Sequence, residues 1–350
     1  MIRVDGGALL GMGHLFKMSL LANAIRKRYA GSRICFCLKK DSHGARWLKA
    51  RGYQVVRIPE SLSRDQEPQW LLQRGGKNVH RIFLVDILDV AAAYVRQLKK
   101  FGAPVITFEN RGRSAEIADA TINAIVEGPA AGIRKYGQGR LYRGGRYRIF
   151  HPDYRKYRRS PSRKPANRKA PQILVSLGGG TDRGFSEVLL KNLSARIGSG
   201  KVVYIQGPAQ RKAGRLKVAG QPNVAILGPQ KSLATLLSQS SAAVSAGGGT
   251  LYELALMGIP GVGLALKPHQ ERNIRFFEKA GTVLDAGRLT RRNAERASQM
   301  IVALLSNKKQ HRAMAKRGQR LVDDQGLKRV LTIVNAILKR SIKKYERLGS

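Results

Sequence analysis

Short apolar runs alternate along the chain with longer segments whose apolar residues lie three or four positions apart. The first short run is Ile2–Val4, and the first periodic segment follows His14, with apolar positions at Leu15, Met18, Ala22, Ile25 and Tyr29. A short run predicts a buried strand, and the three-to-four spacing predicts a helix with one apolar face. Because the two patterns alternate through both halves of the chain, the sequence predicts an α/β fold with two doubly wound units.

The same alternation sets the other strands and the domain limits. Further strands are expected at 33–38, 53–58, 82–85, 105–108, 120–125, 172–177, 202–206, 224–227, 242–244, 261–265 and 282–284. The predicted organisation is a first domain over 1–150, a basic, proline-containing linker over 151–171, a second domain over 172–290 and a basic helical tail over 291–350.

The stretch from Val244 to Pro260 reads as a strand end, a glycine turn and an amphipathic helix. Gly247–Gly249 allow a sharp turn, Thr250 is a good N-cap, and Gly258 followed by Pro260 ends the helix. Such a turn directs unpaired backbone N–H groups and the positive helix end toward one point, which suits a phosphate. Glycines also make plain strand-to-helix turns, so both interpretations stay open.

A second glycine-rich loop, Asp5–Gly13, follows the first strand and leads into a helix at His14. This position lies at the carboxyl end of a parallel strand, where open α/β sheets hold ligands. His14 is therefore a candidate general base, and the alternative is a histidine that caps its own helix.

Two further pairs of residues have metal-ligating side chains. Asp86 and Asp89 flank the start of a helix, where capping is the commoner role. Cys35 and Cys37 alternate along a predicted strand, and two thiols are a poor metal set, so we expect them to pack as small apolar residues. The sequence gives no metal site.

Charge is the unusual part of the composition, with 65 Lys and Arg against 22 Asp and Glu and a formal net charge of +43. Such a charge favours an anionic binding partner: a membrane surface, nucleic acid or phosphorylated small molecules. No apolar run has the length of a membrane span and the N-terminus lacks a signal-peptide pattern, so a cytoplasmic protein is expected, with the basic tail as a candidate contact to an anionic inner membrane face.

Basic residues are densest between residues 134 and 169, with fourteen Lys or Arg against the single acid Asp153 and with tyrosines interleaved. Basic and aromatic residues together are typical of single-stranded nucleic acid binding. The prolines at 161, 165 and 171 favour an interdomain linker instead, and we prefer the linker.

Several motifs, taken together and in order, resemble the family that hydrolyses UDP-2,4-diacetamido-2,4,6-trideoxy-β-L-altropyranose in pseudaminic acid biosynthesis, which includes the SpsG-type spore-coat polysaccharide proteins. The resemblance spans roughly residues 2–285. The motifs are Ile2-Arg-Val-Asp-Gly-Gly with Gly11-Met-Gly-His-Leu-Phe-Lys17, Ala118-Asp-Ala-Thr-Ile-Asn123, Tyr147-Arg-Ile-Phe-His-Pro-Asp-Tyr154, Ile173-Leu-Val-Ser-Leu-Gly-Gly-Gly-Thr-Asp182 and Ser245-Ala-Gly-Gly-Gly-Thr-Leu-Tyr-Glu253. The second half also resembles the lipid-linked N-acetylglucosaminyltransferase of peptidoglycan synthesis.

The resemblance implies a GT-B fold, in which two Rossmann-like domains face a cleft and the second domain holds the nucleotide. It implies that His14 activates water and that Glu253 holds the ribose, although Thr250 and Glu253 also match a plain capping box. The other substrate-binding positions that it implies are Gly13, Lys17, Asp86, Gly179, Leu227, Gly228, Ser245, Gly248, Gly249, Thr250, His269 and Gln270.

Some positions depart from the family pattern. Lys17 replaces the usual arginine and loses its two-pronged hydrogen-bonding geometry. His269 replaces an asparagine, His151 stands where an arginine is common, and the tyrosine expected near Asp86 is absent. These departures concern the sugar side of the site, so the identity of the sugar is open.

We expect a UDP-amino-sugar hydrolase. His14 would take a proton from water as it attacks the anomeric carbon with inversion, while the amides of Gly248, Gly249 and Thr250 stabilise the departing UDP without a metal or another cofactor. Backbone groups near Leu227–Pro229 would frame the uracil. A glycosyltransferase that uses a UDP-sugar and a lipid or polysaccharide acceptor is the second hypothesis, and a nucleic-acid-binding protein is the third.

Overall fold

The computed structural model describes residues 1–6, 12–39, 42–74, 81–87, 89–100, 102–110, 112–125, 132–158, 170–178, 184–207 and 221–349. The chain divides into two compact units. One consists of Met1–Ile149 with Gln325–Ser350, and the other is Phe150–Asp324. Each unit has one mainly parallel sheet with helices, so the predicted α/β class is confirmed.

Strands and helices alternate through the first unit. Its strands are β1 (Ile2–Val4), β2 (Cys35–Lys39), β3 (Gln54–Ile58), β4 (Phe83–Asp86), β5 (Val105–Phe108), β6 (Ala120–Asn123), β7 (Gly132–Tyr136) and β8 (Gly139–Arg143). Its helices are α1 (Gly13–Arg28), α2 (Ser42–Lys49), α3 (Glu67–Gln73), α4 (Ala92–Lys100), α5 (Ser114–Ile117) and a long C-terminal helix at Gly326–Gly349, with a 3-10 turn at Gly145–Tyr147.

The strand order in the first unit is β3-β2-β1-β4-β5-β6-β8-β7, and only β7 runs antiparallel to its neighbour among the described strands. The first six strands follow the order of a Rossmann sheet, in which ligands bind at the carboxyl ends where the order reverses. That reversal lies between β1 and β4. The hairpin β7–β8 corrects part of the sequence interpretation, because the beginning of the 134–169 basic stretch forms the last two strands of the sheet, with β7 at its edge, rather than a linker.

The core of the first unit lies between the sheet and α1. Leu15, Met18 and Ala22 are fully buried on one face of α1, where they meet Ile2 and Val4 of β1. Each large apolar side chain buried in this way stabilises the fold by about 1.5–3 kcal/mol. The apolar residues that lie three and four positions apart in the sequence thus form the face of α1 that packs on the sheet. This packing fixes the start of α1.

The second unit repeats the same strand order. Its strands are β9 (Gln172–Ser176), β10 (Lys201–Ile205), β11 (Val224–Leu227), β12 (Ala242–Ser245), β13 (Gly261–Ala265) and β14 (Val283–Arg288), arranged β11-β10-β9-β12-β13-β14. Its helices are α6 (Asp153–Arg158), α7 (Phe185–Arg196), α8 (Ala234–Gln239), α9 (Thr250–Met257), α10 (Pro268–Lys279), α11 (Arg291–Ser306) and α12 (Lys308–Leu321). The helix at Gly326–Gly349 is α13.

Helix α9 ends as the sequence predicts. Gly258 is its C-cap with φ of 57°, a left-handed conformation that glycine adopts without a side-chain clash, and the N–H of Ile259 bonds to the Leu254 carbonyl. Its beginning differs from the prediction by one residue. Gly249 is the N-cap, and Thr250 is the first residue of the helix, with no side-chain cap.

The last sixty residues differ from the predicted basic tail. Helices α11 and α12 belong to the second unit, where α11 packs on α7 and the sheet. Helix α13 belongs to the first unit: Val330, Ile333 and Val334 join its core, and Tyr29 donates a hydrogen bond to Asn335 Oδ1. The apolar side chains of α13 therefore pack against the domain instead of lying free. Across the described residues, no helix is both long and apolar enough to cross a membrane.

Candidate active site

His14 lies where the strand order of the first sheet reverses. It is the second residue of α1, and Asp86 is the last residue of β4, the strand next to β1. Val4 of β1 pairs with Asp86, so the carboxyl ends of the two strands stand side by side. Open α/β sheets hold ligands at the carboxyl ends of their strands, and His14 and Asp86 meet at such a position.

His14, Lys17 and Asp86, together called the His14 site, converge on a single carboxylate oxygen. Nδ1 of His14 lies 2.9 Å from Asp86 Oδ1, and Nζ of Lys17 donates to the same oxygen at 2.9 Å. The His14 ring is within hydrogen-bonding distance but is not aligned as a donor in this conformation. Its side chain is 33% exposed, whereas Asp86 is buried at 1%. One edge of the ring therefore lies against Asp86, and the side chain is accessible on its other side.

The charge of Asp86 is held in place by its neighbours. Burial alone would raise the pKa of this carboxyl, but the Lys17 ammonium and the His14 ring outweigh that effect and leave the pKa below its ordinary value. The other oxygen, Oδ2, is buried and has no hydrogen-bond partner within the described residues. Asp86 thus stays ionised beside His14, as a carboxylate that orients an imidazole base must.

Lys17 is one helical turn after His14, which places both side chains on the same side of α1. Its ammonium also lies 5.4 Å from the centre of the Phe108 ring, at the end of β5. Gly13 is exposed at the helix start, and a Cβ built on it would meet nothing within 4 Å. Among the described residues, none fills the space beside Gly13.

A buried ionic network beneath the His14 site was not predicted from the sequence. Arg3 of β1 is fully buried and donates to both Glu67 of α3 and Asp5, and Tyr94 donates to Glu67 at 2.6 Å. Asp5 also accepts from the Lys39 amide at 3.0 Å, which fixes the chain where it leaves β1. The sequence does contain one sign of this network: Arg3 lies inside an apolar strand, and a buried guanidinium requires an acid partner.

In the second unit, the glycine turn, residues 247–249, connects β12 to α9. The buried side chain of Asn273 on α10 donates to the Gly247 carbonyl at 2.7 Å and to the Gly248 carbonyl at 3.4 Å. A Cβ on Gly247 would approach the Gln270 carbonyl to 2.2 Å, whereas a Cβ on Gly248 would meet nothing within 4 Å. Packing therefore explains the glycine at 247 but not the one at 248.

The amides of the glycine turn are only partly available. The Gly248 N–H already donates to the Ala246 carbonyl at 2.7 Å, which corrects its predicted role as a phosphate donor. The N–H groups of Gly249 and Thr250 have no backbone partner in the described part of the chain, because they open α9. Two adjacent free amides and the positive end of an eight-residue helix thus point out of the turn.

Glu253 does not form the predicted capping box, because Thr250 is inside the helix. Its carboxylate lies beside Tyr154 of α6, which is almost fully buried. Burial and this nearby negative charge raise the pKa of Tyr154 well above its ordinary value. Tyr154 stands in the quoted 147–154 motif, but nothing in the sequence linked it to Glu253.

Other predicted binding residues have structural partners of their own. Gln270 Oε1 accepts from the amides of Leu266 at 2.8 Å and Lys267 at 3.0 Å and so caps α10, while His269 is exposed beside it. The fully buried Ser245 donates to the Ala246 carbonyl at 3.0 Å.

The last of the predicted substrate-binding residues lie at the ends of β11 and β9. The carbonyls of Leu227 and Gly228 already accept from the Gln206 amide and the Gln230 side chain, at 2.8 Å each. Gly179, after β9, lies outside the described residues.

The residues with metal-ligating side chains are not gathered into a site. Within the described ranges, no three His, Cys, Asp or Glu residues cluster as a metal site would need. Asp86 contacts His14 and Lys17, and Asp89 has φ of 54°. Cys35 and Cys37 are free thiols on β2, the second one buried, and the contact with Cys37 lowers the pKa of Cys35 to about 7.

The chain is similar in sequence to one well-matched relative. The spore coat polysaccharide biosynthesis protein SpsG of Bacillus subtilis (strain 168) is 28% identical over 350 residues, covering 97% of this chain and 99% of its own length. No protein-family model matches the chain. The resemblance to SpsG-type proteins that the motifs predicted is confirmed.

Solved structures share the fold at low sequence identity. MurG of Acinetobacter baumannii superposes with a TM-score of 0.67 at 15% identity, covering 96% of this chain and 99% of that one. The UDP-GlcNAc 2-epimerase of Neisseria meningitidis, bound to UDP-GlcNAc, superposes with a TM-score of 0.62 at 14% identity, covering 97% and 99%. The chain is a GT-B-fold protein that is similar to SpsG over nearly its whole length.

Proposed function

We propose that this protein hydrolyses a UDP-linked amino sugar, with water attacking the anomeric carbon and UDP leaving with inversion. The observation that carries the proposal is the His14 site: an ionised, buried Asp86 stands 2.9 Å from Nδ1 of His14, whose ring is one-third exposed. A paired carboxylate fixes the tautomer of an imidazole and stabilises the cation that forms when its other nitrogen takes a proton.

In the proposed reaction, the outer nitrogen of His14, Nε2, removes a proton from water. The oxygen of that water bonds to the anomeric carbon while the bond from this carbon to the diphosphate oxygen breaks, so the electron pair leaves with UDP. General base catalysis by a positioned histidine contributes roughly 100- to 10,000-fold to such a step. Asp86 and Lys17 hold the base and do not touch the reacting atoms.

The glycine turn supports binding of UDP by the second unit. The amides of Gly249 and Thr250, which lack a backbone partner, and the start of α9 suit a diphosphate. No described residue lies within 4 Å of a Cβ built on Gly248, so such a group can approach the backbone there without meeting the described part of the chain. Glu253 would accept from a ribose hydroxyl, and the remaining polar groups of Gly228, His269 and Gln270 would contact the uracil and the sugar. The similarity to SpsG favours a sugar used for surface polysaccharide.

The test is to incubate the purified protein with a panel of UDP-amino sugars in ¹⁸O-labelled water and to follow the reaction by NMR and mass spectrometry. We expect free UDP, a free sugar whose first-formed anomer is inverted, and the label on the sugar rather than on UDP. Label on UDP would place the attack at phosphorus and contradict the proposal.

Two other outcomes identify other reactions on the same fold. Tight binding of a UDP-sugar without release of UDP would indicate a glycosyltransferase that lacks its acceptor, our second candidate. A change of configuration at carbon 2 of the sugar would indicate an epimerase, the activity named for one of the structural neighbours. Either result would replace the hydrolase assignment.

A further inference from the structure

The first unit contains a cavity of about 250 Å³ that the proposed reaction does not use. Its polar wall is formed by Asn110, Asn123, Arg134, Tyr136 and Arg143, with apolar residues of α5 and β8 behind them. None of the three residues of the His14 site belongs to this wall. We call it the Arg134 cavity.

The strand register explains why these side chains meet. Asn123 of β6 pairs with Arg143 of β8, and Arg134 of β7 pairs with Leu141 of β8. Side chains of paired residues point to the same face, and so do those two positions apart on one strand. Asn123, Arg134, Tyr136 and Arg143 therefore share one face of the sheet, which the hairpin β7–β8 extends.

Positive charge in the Arg134 cavity is not neutralised by protein groups. Neither Arg134 nor Arg143 forms an ion pair within the described ranges. The Arg134 guanidinium lies 5.2 Å from the centre of the Tyr136 ring, which limits its motion. Two guanidinium groups without carboxylate partners at one cavity favour an oxyanion, which arginine binds with two parallel hydrogen bonds.

The wall beside the arginines is rigid and has one unused acceptor. The Asn123 side chain is held by its donation to the Asn110 carbonyl at 2.8 Å, and the Asn110 amide in turn donates to Ser114 at 2.8 Å. Asn123 is only 8% exposed, and its Oδ1 has no hydrogen-bond partner in the described part of the chain. A buried acceptor without a donor costs stability, so a donor on a bound molecule would be favourable.

Glu109, which precedes the wall residue Asn110, forms no ion pair with Arg134 or Arg143 within the described residues. Glu109 adopts φ of 51°, an uncommon conformation for a residue with a side chain, and its oxygens accept from the amides of Ala124 and Ile125 at 3.2 and 3.1 Å. This backbone strain is typical of functional sites and here serves to lock the carboxylate onto the chain after β6.

We propose that the Arg134 cavity binds a small polyhydroxy molecule that carries one oxyanion group, either phosphate or carboxylate. The guanidinium groups of Arg134 and Arg143 take the oxyanion, and a hydroxyl of the ligand donates to Asn123 Oδ1. The volume is slightly below the range of about 300–1,000 Å³ found for pockets of drug-sized ligands, so the cavity suits a ligand of the size of a monosaccharide derivative. None of the residues that line the cavity belongs to the His14 site or to the glycine turn, so ligand binding here is tested separately from the proposed hydrolase activity.

The test uses three probes with one ring: glucose 6-phosphate, glucuronate and neutral glucose. Each is titrated into the full chain at about 150 mM salt, where long-range attraction to the +43 charge is screened. Calorimetry gives the affinity, and NMR of the asparagine side-chain amides reports whether Asn123 is contacted. We expect saturable binding of at least one charged probe, no binding of glucose, and a shift of the Asn123 amide signals.

The decisive variants are Arg134→Gln and Arg143→Gln, with Arg33→Gln as a control that removes the same charge from an exposed position before β2. Loss of a charge-assisted contact weakens binding roughly tenfold or more, so each cavity variant should do so while Arg33→Gln stays within twofold. Unchanged melting temperatures verify the fold. Equal losses in all three variants, or no saturable binding of either charged probe, would overturn the proposal.

The two charged probes also separate the sources of the oxyanion. Binding of glucose 6-phosphate alone indicates a sugar phosphate, and binding of glucuronate alone indicates a sugar acid. Both results require the arginine dependence described above. UDP-sugar turnover should be the same in the cavity variants and in the wild type, which keeps this test distinct from that of the hydrolase.

Discussion

The His14 site of the first unit and the glycine turn of the second differ in the kind of group that would carry the chemistry. In the first unit, three charged or titratable side chains, His14, Lys17 and Asp86, meet at one oxygen. In the second unit, the corresponding groups are backbone amides at the glycine turn, and several predicted side chains serve the protein's own structure. Ser245 and Gln270, for example, each bond to neighbouring backbone.

This difference has a consequence for mutation. A side-chain base can be removed without moving the chain, so substitutions in the His14 site should change rate more than binding. An amide cannot be removed, so the glycine turn is best tested by filling the space in front of it. The predictions below examine that division.

Replacing His14 by Ala should give the largest effect, a fall in kcat of about 100- to 10,000-fold, because the base is lost. The affinity for UDP should stay within about twofold, since UDP is assigned to the second unit. Steady-state kinetics and calorimetry measure the two quantities. His14→Gln is the control that keeps a polar side chain beside Asp86, and turnover that survives in either variant would remove His14 from its role.

Replacing Asp86 by Asn should lower kcat by roughly 10- to 1,000-fold, because the neutral amide no longer stabilises the protonated imidazole. KM should change little. Kinetics are measured well below the melting temperature of the variant, so that loss of folded protein does not lower kcat. A fall in kcat no larger than the loss of folded protein would favour a purely structural role.

Replacing Gly248 by Val should weaken UDP binding by about tenfold or more, because the new side chain enters the space proposed for the diphosphate. The melting temperature should be nearly unchanged, since none of the described residues occupies that space. Gly247→Val is the matched opposite, because its Cβ collides with the Gln270 carbonyl and should destabilise the fold. Unchanged UDP affinity in the Gly248 variant would leave the glycine turn as a plain turn.

The double change Thr250→Val and Glu253→Ala should weaken UDP binding by a few-fold. It removes the hydroxyl and the carboxylate at the start of α9 but leaves the amides in place. Fluorescence or calorimetric titration with UDP is sensitive enough to detect it. Full affinity in the double variant would assign Glu253 to its contact with Tyr154 alone.

The smallest expected effect is on acid stability. The pKa of Asp86 is lowered in the folded protein from its ordinary 3.8, so its ionisation stabilises the fold above that pH, and this contribution is lost as pH falls through the folded value. Below about pH 4, denaturant unfolding should therefore show a shallower loss of stability in Asp86→Asn than in the wild type. If stability falls equally steeply with pH in the variant and in the wild type below about pH 4, the lowered pKa of Asp86 is contradicted.

Sequence reasoning located the His14 site better than the glycine turn. The ends of β1 and β4 follow from apolar runs, and a Rossmann strand order makes them neighbours, so His14 and Asp86 could be placed together. The same reasoning does not show which backbone amides of the glycine turn already have a hydrogen-bond partner. The helix begins one residue earlier than the threonine pattern predicts, and the Gly248 amide turns back to Ala246.

Long-range contacts account for most of the other differences. Two contacts join residues that are far apart in the sequence: Tyr154 lies beside Glu253, and Asn273 donates to the carbonyls of the glycine turn. No local sequence pattern predicts either contact. The hairpin β7–β8 was hidden because basic residues dominate its composition, although edge strands often carry such charges. Helix α13 had the expected apolar stripe, but periodicity does not say which domain will receive it.

The return of α13 to the first unit also fixes an order of assembly. Val330, Ile333, Val334 and Ile337 complete a core whose other members are made more than 170 residues earlier. During synthesis, the whole second unit emerges before the first unit can close. The first unit therefore remains open along α1 on the ribosome until α13 is made, and the second unit is free to fold first.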